Sequence, residues 1–150
     1  MIKIVSGGQT GVDRAALDAA VDSELLIGGW CPKGRIAEDG VIDIKYPLQE
    51  TATSLYQERT RKNVEDSDAT LIINEGRLSG GTALTVKFAR AADKPVLIVR
   101  PLPAFYHDIE NWLDEFQVEV LNIAGPRGST NPEIYAKTYE FLKLLFSRLR

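Results

Sequence analysis

The sequence predicts an α/β domain with a doubly wound sheet of about five parallel strands and helices on both faces. Short apolar runs alternate with helical patterns along the 150 residues. Runs such as Leu71-Ile72-Ile73 and Val96-Leu97-Ile98-Val99 are apolar at every position, as expected of parallel strands covered on both faces. Strand–helix alternation of this kind implies crossover connections within one sheet.

The strand candidates are Ile2–Val5, Leu25–Gly28, Thr70–Asn74, Val96–Val99 and Val118–Ile123. Helical patterns fill the gaps. Asp13–Val21 carries Leu17 and Val21 on one face, and Thr53–Glu65 follows the second loop. Gly81–Ala92 carries Leu84, Phe88 and Ala91, and Phe105–Phe116 carries Ile109 and Trp112. Pro132–Leu149 places Tyr135, Thr138, Leu142, Leu145 and Leu149 on one helical face. Pro95 and Pro101 bracket the fourth strand, and Asn131-Pro132 suits a helix start with proline in its first turn.

The bulk numbers narrow the function classes. The length suits a single domain spanning 1–150, and such a domain buries roughly 68–70% of its unfolded surface. A net charge of −3 gives no general attraction to nucleic acid or anionic membrane. A lone cysteine excludes an internal disulfide and a multi-cysteine zinc site, and no metal site is expected. Met-Ile-Lys-Ile-Val-Ser-Gly-Gly reads as a strand entering a turn rather than a secretory signal. No apolar run approaches the ~20 residues that span a bilayer. A cytoplasmic protein is the expectation.

In doubly wound sheets, ligands sit beyond the carboxyl ends of the strands, and the loops at those ends are the most unusual segments here. The first is Ser6-Gly7-Gly8-Gln9-Thr10-Gly11-Val12-Asp13-Arg14. Its glycines allow successive N–H groups to face one anion, and the helix that follows adds its positive end. It is neither a Walker A loop nor a GxGxxG fingerprint. A plain strand–helix turn capped by Thr10 or Asp13 is the simpler alternative. The second is Leu78-Ser79-Gly80-Gly81-Thr82, which repeats that design before another helix. The third, Cys31 to Gly40, carries Lys33, Gly34 and Arg35 on an irregular stretch, a length that usually signals function. The fourth, Ala124-Gly125-Pro126-Arg127-Gly128-Ser129, adds Arg127. Arg14, Lys33, Arg35, Arg77 and Arg127 therefore gather cations at the carboxyl edge of a mildly acidic chain.

The expected anion-binding set is Ser6, Gly7, Gly8, Gln9, Thr10, Gly11, Arg14, Lys33, Gly34, Arg35, Ser79, Gly80, Gly81, Thr82 and Arg127. Asp13, Glu38 and Asp39 are the candidates should any reaction be catalysed. His107, the only histidine, lies in an amphipathic helix and reads as exposed or half-packed. Cys31 is either a small buried hydrophobe or a reactive thiol. Tyr56, Thr60 and Asn63 form a polar helical stripe that faces solvent or ligand. Trp30 and Trp112 read as core or subunit contacts.

Several motifs together suggest a family. They are Ser6 through Asp18, Cys31 through Gly40, Tyr46-Pro47-Leu48, Arg59-Thr60, Asn63-Val64, Ser79 through Thr82, and Leu121-Asn122-Ile123-Ala124-Gly125-Pro126-Arg127. Over about residues 1–135 the chain resembles the molybdenum cofactor carrier proteins, in the circularly permuted YpsA-like branch of the SLOG group, relatives of the lysine-decarboxylase-like nucleotide-binding proteins. The resemblance implies a Rossmann-like fold, homo-oligomers (dimer or tetramer), and a phosphorylated pterin or nucleotide-like ligand. Molybdenum cofactor enters as cargo. Nucleoside-monophosphate-cleaving relatives look like Gly-Gly-x-Gly-Thr followed closely by Glu. Here Gly80-Gly81-Thr82 continues as Ala83-Leu84-Thr85, without that carboxylate.

The leading expectation is therefore a binding or carrier protein for an anionic, phosphate-bearing small molecule. The alternatives are a nucleotide or ADP-ribose-type hydrolase using Asp13, Glu38 or Asp39, and a nucleotide sensor acting on a partner protein.

Overall fold

The computed structural model describes residues 1–149. Strand β1 (Lys3–Val5) leads into helix α1 (Val12–Asp22) and then β2 (Leu26–Gly28). Four two-residue strands follow: β3 (Trp30–Cys31), β4 (Ile36–Ala37), β5 (Gly40–Val41) and β6 (Gln49–Glu50). Helix α2 (Tyr56–Glu65) precedes β7 (Ala69–Ile73), α3 (Gly80–Ala91) and β8 (Val96–Val99). A short 3-10 turn over Pro103–Phe105 opens α4 (Tyr106–Glu115), and β9 (Val120–Ala124) and α5 (Ile134–Arg148) complete the chain.

The main sheet is parallel with order β2-β1-β9-β7-β8. Counted from β1, its strands stand second, first, fifth, third, fourth. Counted from β9 instead, the same sheet reads third, second, first, fourth, fifth, the Rossmann order. The chain thus traces a Rossmann sheet whose usual first strand has been moved to the end. The order changes direction between β9 and β7, and a ligand crevice belongs there.

Alternation along the strands assigns the two faces. Ile4, Leu71, Ile73, Leu121 and Ile123 enter a core with Ala16 and Ala20 of α1, Ile109 and Trp112 of α4, and Leu142, Leu145 and Phe146 of α5. Tyr106 stacks on Phe141 at 4.8 Å and donates its hydroxyl to the Phe141 carbonyl at 2.8 Å, which fixes α4 against α5. Val5, Thr70, Ile72 and Asn122 point the other way, towards α2 and α3, which pack on each other.

Two expectations shift. Val96–Val99, expected to be covered on both faces, is an edge strand, so its apolar run is only partly covered and Ile98 keeps 39% exposure. Pro132 lies in a turn before α5, whose first helical residue is Ile134, because Ile134 N–H is held by the Asn131 carbonyl.

The segment after β2 has more order than its irregular sequence suggests. Strands β3 and β6 pair in parallel, and β4 and β5 form a hairpin. Leu17, Cys31, Ile42, Tyr46 and Leu48 make a second small core beneath them. Arg35, in the left-handed region at φ 56°, holds the segment from inside. Its Nε donates to the Ile42 carbonyl (3.2 Å), Nη1 to that of Leu48 (3.1 Å), and Nη2 to those of Asp43 (2.9 Å) and Tyr46 (2.8 Å).

One guanidinium serving four carbonyls predicts a structural defect when it is removed. Arg35→Ala is expected to lower stability by roughly 1.5–3 kcal/mol in chemical denaturation, and Arg35→Lys to restore little of it, since an ammonium lacks the planar fork. A variant as stable as the parent would show that these bonds only decorate a loop held by its small core.

Candidate functional site

A cleft of about 400 Å³ opens at the carboxyl edge of the main sheet. Its walls come from the ends of β7 and β9 (Asn74, Glu75, Asn122, Ala124 and Gly125), from α2 and from the start of α3. It therefore lies at the point where the strand order turns. Both glycine motifs reach it, through Gly7 and Gln9 of the first and Ser79, Gly80, Gly81 and Thr82 of the second.

At the mouth, α3 begins without a side-chain cap: Ser79 at its N-cap bonds no first-turn amide. Gly80 adopts φ 52°, and no heavy atom lies within 4 Å of where a Cβ would stand on Gly80 or Gly81. The first-turn N–H groups of α3 are thus left without a side-chain acceptor, beside open space and at the positive end of the helix dipole. Arg77 and Arg127 stand at the same mouth.

Deeper in, Arg59 of α2 crosses the cleft wall onto the first loop. Its Nη1 lies 3.0 Å from Asp13 Oδ2, and both residues are over nine-tenths buried. A Cβ on Gly7 would stand 1.8 Å from that same nitrogen. Gly7 is thus bare to admit a guanidinium rather than to approach a ligand. Burial pushes the Asp13 carboxyl above the usual aspartate range, and Arg59 opposes that rise without cancelling it.

The carboxylates of the third loop are spent on neighbouring loops. Glu38 accepts from the Ser129 hydroxyl (2.6 Å), the Ser129 N–H (2.9 Å) and the Thr10 hydroxyl, and pairs with Arg127 at 3.8 Å. Those bonds, from Ser129 first and Thr10 next, hold its carboxyl below the usual glutamate range. Asp39 binds Arg14 through two contacts of 2.9 and 3.2 Å and is likewise held low. Arg14 also donates to the Gly8 carbonyl at 3.1 and 2.9 Å, so its guanidinium faces the loop interior. On the far side, Glu75 accepts from Asn131 (3.1 Å) and Lys137 (3.3 Å). The loop after β9 is clasped from both flanks.

The expected residues divide accordingly. Gly7, Gln9, Asp13, Ser79, Gly80, Gly81, Thr82 and Arg127 line the cleft. Ser6, Gly8, Thr10, Gly11 and Arg14 stand behind its wall. Ser6 Oγ donates to the Asp13 carbonyl at 2.9 Å, and a Cβ on Gly11 would meet the Pro126 carbonyl oxygen at 2.3 Å. Lys33, Gly34 and Arg35 are not brought to the cleft. Arg35 is turned inward as described, Lys33 is exposed, and the Gly34 N–H serves Glu50 at 2.7 Å. Glu38 and Asp39 lie in the clasp rather than on the cleft wall.

Cys31 is fully buried in the small core, and burial pushes its thiol up, as for an inert hydrophobe. His107 is exposed beside Asn111. Of the polar stripe on α2, Thr60 and Asn63 face the cleft, although Asn63 is occupied on both sides by the Trp30 backbone (2.8 and 2.9 Å). Arg59, Asn74, Glu75, Thr85, Asn122, Thr130 and Asn131 are among the polar wall residues missing from the expected set. Signals existed for Asn122, which interrupts an otherwise apolar strand, and for Arg59, which stands in the Arg59-Thr60 motif of the family resemblance.

The buried pair carries a pH prediction. Removing one partner of such a pair costs about 3–5 kcal/mol, so Arg59→Met is expected to lose that order of stability near neutrality. Without Arg59 the Asp13 carboxyl rises further. A carboxyl raised above its unfolded value, about 3.9, binds its proton more tightly in the folded state. Stability then increases as pH falls from neutrality towards that value. Denaturation of Arg59→Met from pH 7 to 5 should recover part of the loss, and a pH-independent deficit would mean that Asp13 carries no charge to compensate.

The relatives accord with this geometry. The family model of the circularly permutated YpsA SLOG family matches residues 4–146. A solved structure from Syntrophus aciditrophicus SB, named as a molybdenum carrier protein, is 48% identical; the match covers 97% of this chain and 94% of that one, with a TM-score of 0.93. The DNA processing protein DprA of Mycobacterium tuberculosis, in strains CDC 1551 / Oshkosh and ATCC 25618 / H37Rv, is 34% identical over 113 residues. That alignment takes in 65% of this chain but only 29% of DprA, so the chain spans less than a third of that relative. With a Rossmann sheet entered at its second strand and a family match over nearly its whole length, the chain belongs to the circularly permutated YpsA SLOG family.

Proposed function

We propose that the protein binds a phosphate-bearing small molecule in this cleft and carries it unchanged, with molybdenum cofactor as the cargo. The observation that carries the reading is the uncapped amino end of α3, where Gly80 and Gly81 leave room for an anion with Arg77 and Arg127 beside it. Main-chain N–H groups and guanidinium groups together suit phosphate. The name of the Syntrophus aciditrophicus protein supports the carrier role and the molybdenum cargo. No described helix is long and apolar enough to cross a membrane, so nothing in these helices competes with a small-molecule role.

One observation favours a second reading. Asp13 lies on the cleft wall with its carboxyl raised by burial, and a raised carboxyl in a cleft is a candidate general acid or base. A nucleotide hydrolase would use it. Against this, Arg59 already occupies one Asp13 oxygen, and no carboxylate follows Gly80-Gly81-Thr82 in the first turns of α3.

Titration with inorganic pyrophosphate tests the anion seat. Gly81→Val is expected to abolish binding while melting like the parent, because nothing stands where its Cβ would go. Arg127→Ala should weaken binding about ten- to a hundredfold, the equivalent of one charge-assisted bond. Unaltered affinity in Gly81→Val would refute the seat. Mass spectrometry of small molecules released from the purified protein separates the two functions: intact molybdenum cofactor supports the carrier, whereas nucleotide turnover abolished in Asp13→Asn would replace it with the hydrolase.

A further inference from the structure

A second cavity, of about 360 Å³, lies away from the cleft and shares no lining residue with it. Helix α1 supplies Asp18, Val21 and Asp22, and α5 supplies Tyr135 and Tyr139. The loop between β5 and β6 adds Lys45 and Tyr46. Asp18 and Tyr46 both stand in the motifs that carry the family resemblance, yet neither lines the cleft.

Each phenol here donates to a carboxylate. Tyr46 donates to Asp18 Oδ1 at 2.5 Å, Tyr135 to Asp18 Oδ2, and Tyr139 to Asp22 Oδ2. Burial first, and then the bond to Asp18, push the Tyr46 and Tyr135 hydroxyls well above the usual phenol range, so both remain donors. The negative charge of the cluster therefore stays on aspartate.

That charge is placed where a helix disfavours it. Asp18 and Asp22 are four residues apart on α1, where like charges repel. Asp22 ends the helix, at the negative end of its dipole, and no basic residue stands in that last turn. No described lysine or arginine forms an ion pair with either carboxylate. Lys143 reaches the Asp22 main-chain carbonyl at 3.2 Å rather than its carboxylate. Lys45 and Arg14 lie over the Tyr46 ring, at 5.2 and 5.7 Å from its centre. A phenol needs only an acceptor, which asparagine would provide without the charge. The helix pair thus holds two negative charges that its own hydrogen bonds do not require.

The rest of the lining suits a cation with an apolar stem. The Tyr135 and Tyr139 rings are nearly parallel, with centres 6.3 Å apart, and Val21 beside them is 51% exposed. Aromatic faces attract ammonium groups, and apolar surface takes up methylene stems. Lys45 already makes such a contact with Tyr46 from within the chain. Side chains one helical turn apart stand about 5–6 Å from each other. An extended four-carbon diamine holds its two nitrogens about 6 Å apart, given bonds of about 1.5 Å. The cavity volume falls in the usual range for small-molecule sites, roughly 300–1,000 Å³.

We infer that this cavity binds a short aliphatic diamine, with one ammonium group at Asp18, the other at Asp22, and the methylene chain against the tyrosine rings and Val21. The site is separate from the cleft, and the inference stands whether or not the cleft takes phosphate.

The test is isothermal titration of the whole chain, at fixed ionic strength, with butane-1,4-diamine, butylamine and magnesium chloride. The diamine should bind about tenfold tighter than butylamine, the effect of a second charged contact. Magnesium should bind more weakly than the diamine, because a hydrated ion gains nothing from the rings. In Asp22→Asn the advantage of the diamine over butylamine should vanish. That variant should melt no lower than the parent, since a like-charge pair is relieved and the carboxamide oxygen still accepts from Tyr139. In Tyr139→Ala both amines should weaken. Should the alanine variant fail to fold, Tyr139→Leu, which keeps the bulk without the ring, makes the same measurement. Equal binding of diamine and butylamine, or magnesium matching the diamine, overturns the inference and leaves the cluster as a tie between α1 and α5. No binding of either amine overturns it too, as does an Asp22→Asn variant with the parent's preference or a folded Tyr139 variant with the parent's affinity.

Discussion

All five strands of the main sheet run in one direction, so every strand–helix loop with glycine, arginine or carboxylate lands on one edge of the molecule. The neighbouring strands β9 and β7 send their connections to opposite sides, and the edge splits between them into the cleft. The rest of the site depends on that split. The loop after β9 closes one side, α3 begins on the other, and α2 leans over the gap with Arg59. Moving the usual first strand to the end of the chain leaves these neighbours in place, because spatial order, not chain order, decides what meets at the crevice.

Charge is arranged around the cleft with a clear division of labour. Glu38, Asp39 and Glu75 bind neighbouring loops and are held deprotonated by those bonds. They fix the shape of the wall and neutralise cations that would otherwise add to the field, Arg14 above all. Asp13 is the exception, buried on the wall with Arg59 as its counter-charge. Most carboxylates around the cleft are thereby committed to structure, and of the two arginines on its lining, Arg77 and Arg127, the second is itself paired with Glu38 at 3.8 Å.

Much of this was legible in the residues. The five main strands and five helices fall within a few residues of where apolar periodicity puts them, since burial on both faces leaves an unambiguous pattern. That Ser79 through Thr82 and the first loop would both reach the carboxyl edge of the sheet was legible because each lies between a strand pattern and a helix pattern. The roles within the first loop were less legible. Gly7 and Gly11 look alike in sequence, but one makes room for Arg59 and the other for the Pro126 carbonyl, and both partners come from distant segments. The third loop was misleading for a related reason. Lys33 and Arg35 look like ligand-seeking cations on an irregular stretch, and only the fold shows Arg35 bonded to four carbonyls of its own loop.

What the sequence determined by itself is whatever depends on local pattern: the α/β class, the approximate element boundaries, the placing of glycine pairs ahead of helices, and a family resemblance spread over long motifs. Strand order was decided only in the tertiary structure. It made Val96–Val99 an edge, set β9 beside β7, and brought Asn122 level with Thr70 at the bottom of a cleft. Arg59, one cation among 18 lysines and arginines, became the buried partner of Asp13 because α2 happens to cross above Gly7. Periodicity reports how a residue relates to its own helix or strand. Which distant side chain fills the space beside it is settled only when the elements pack.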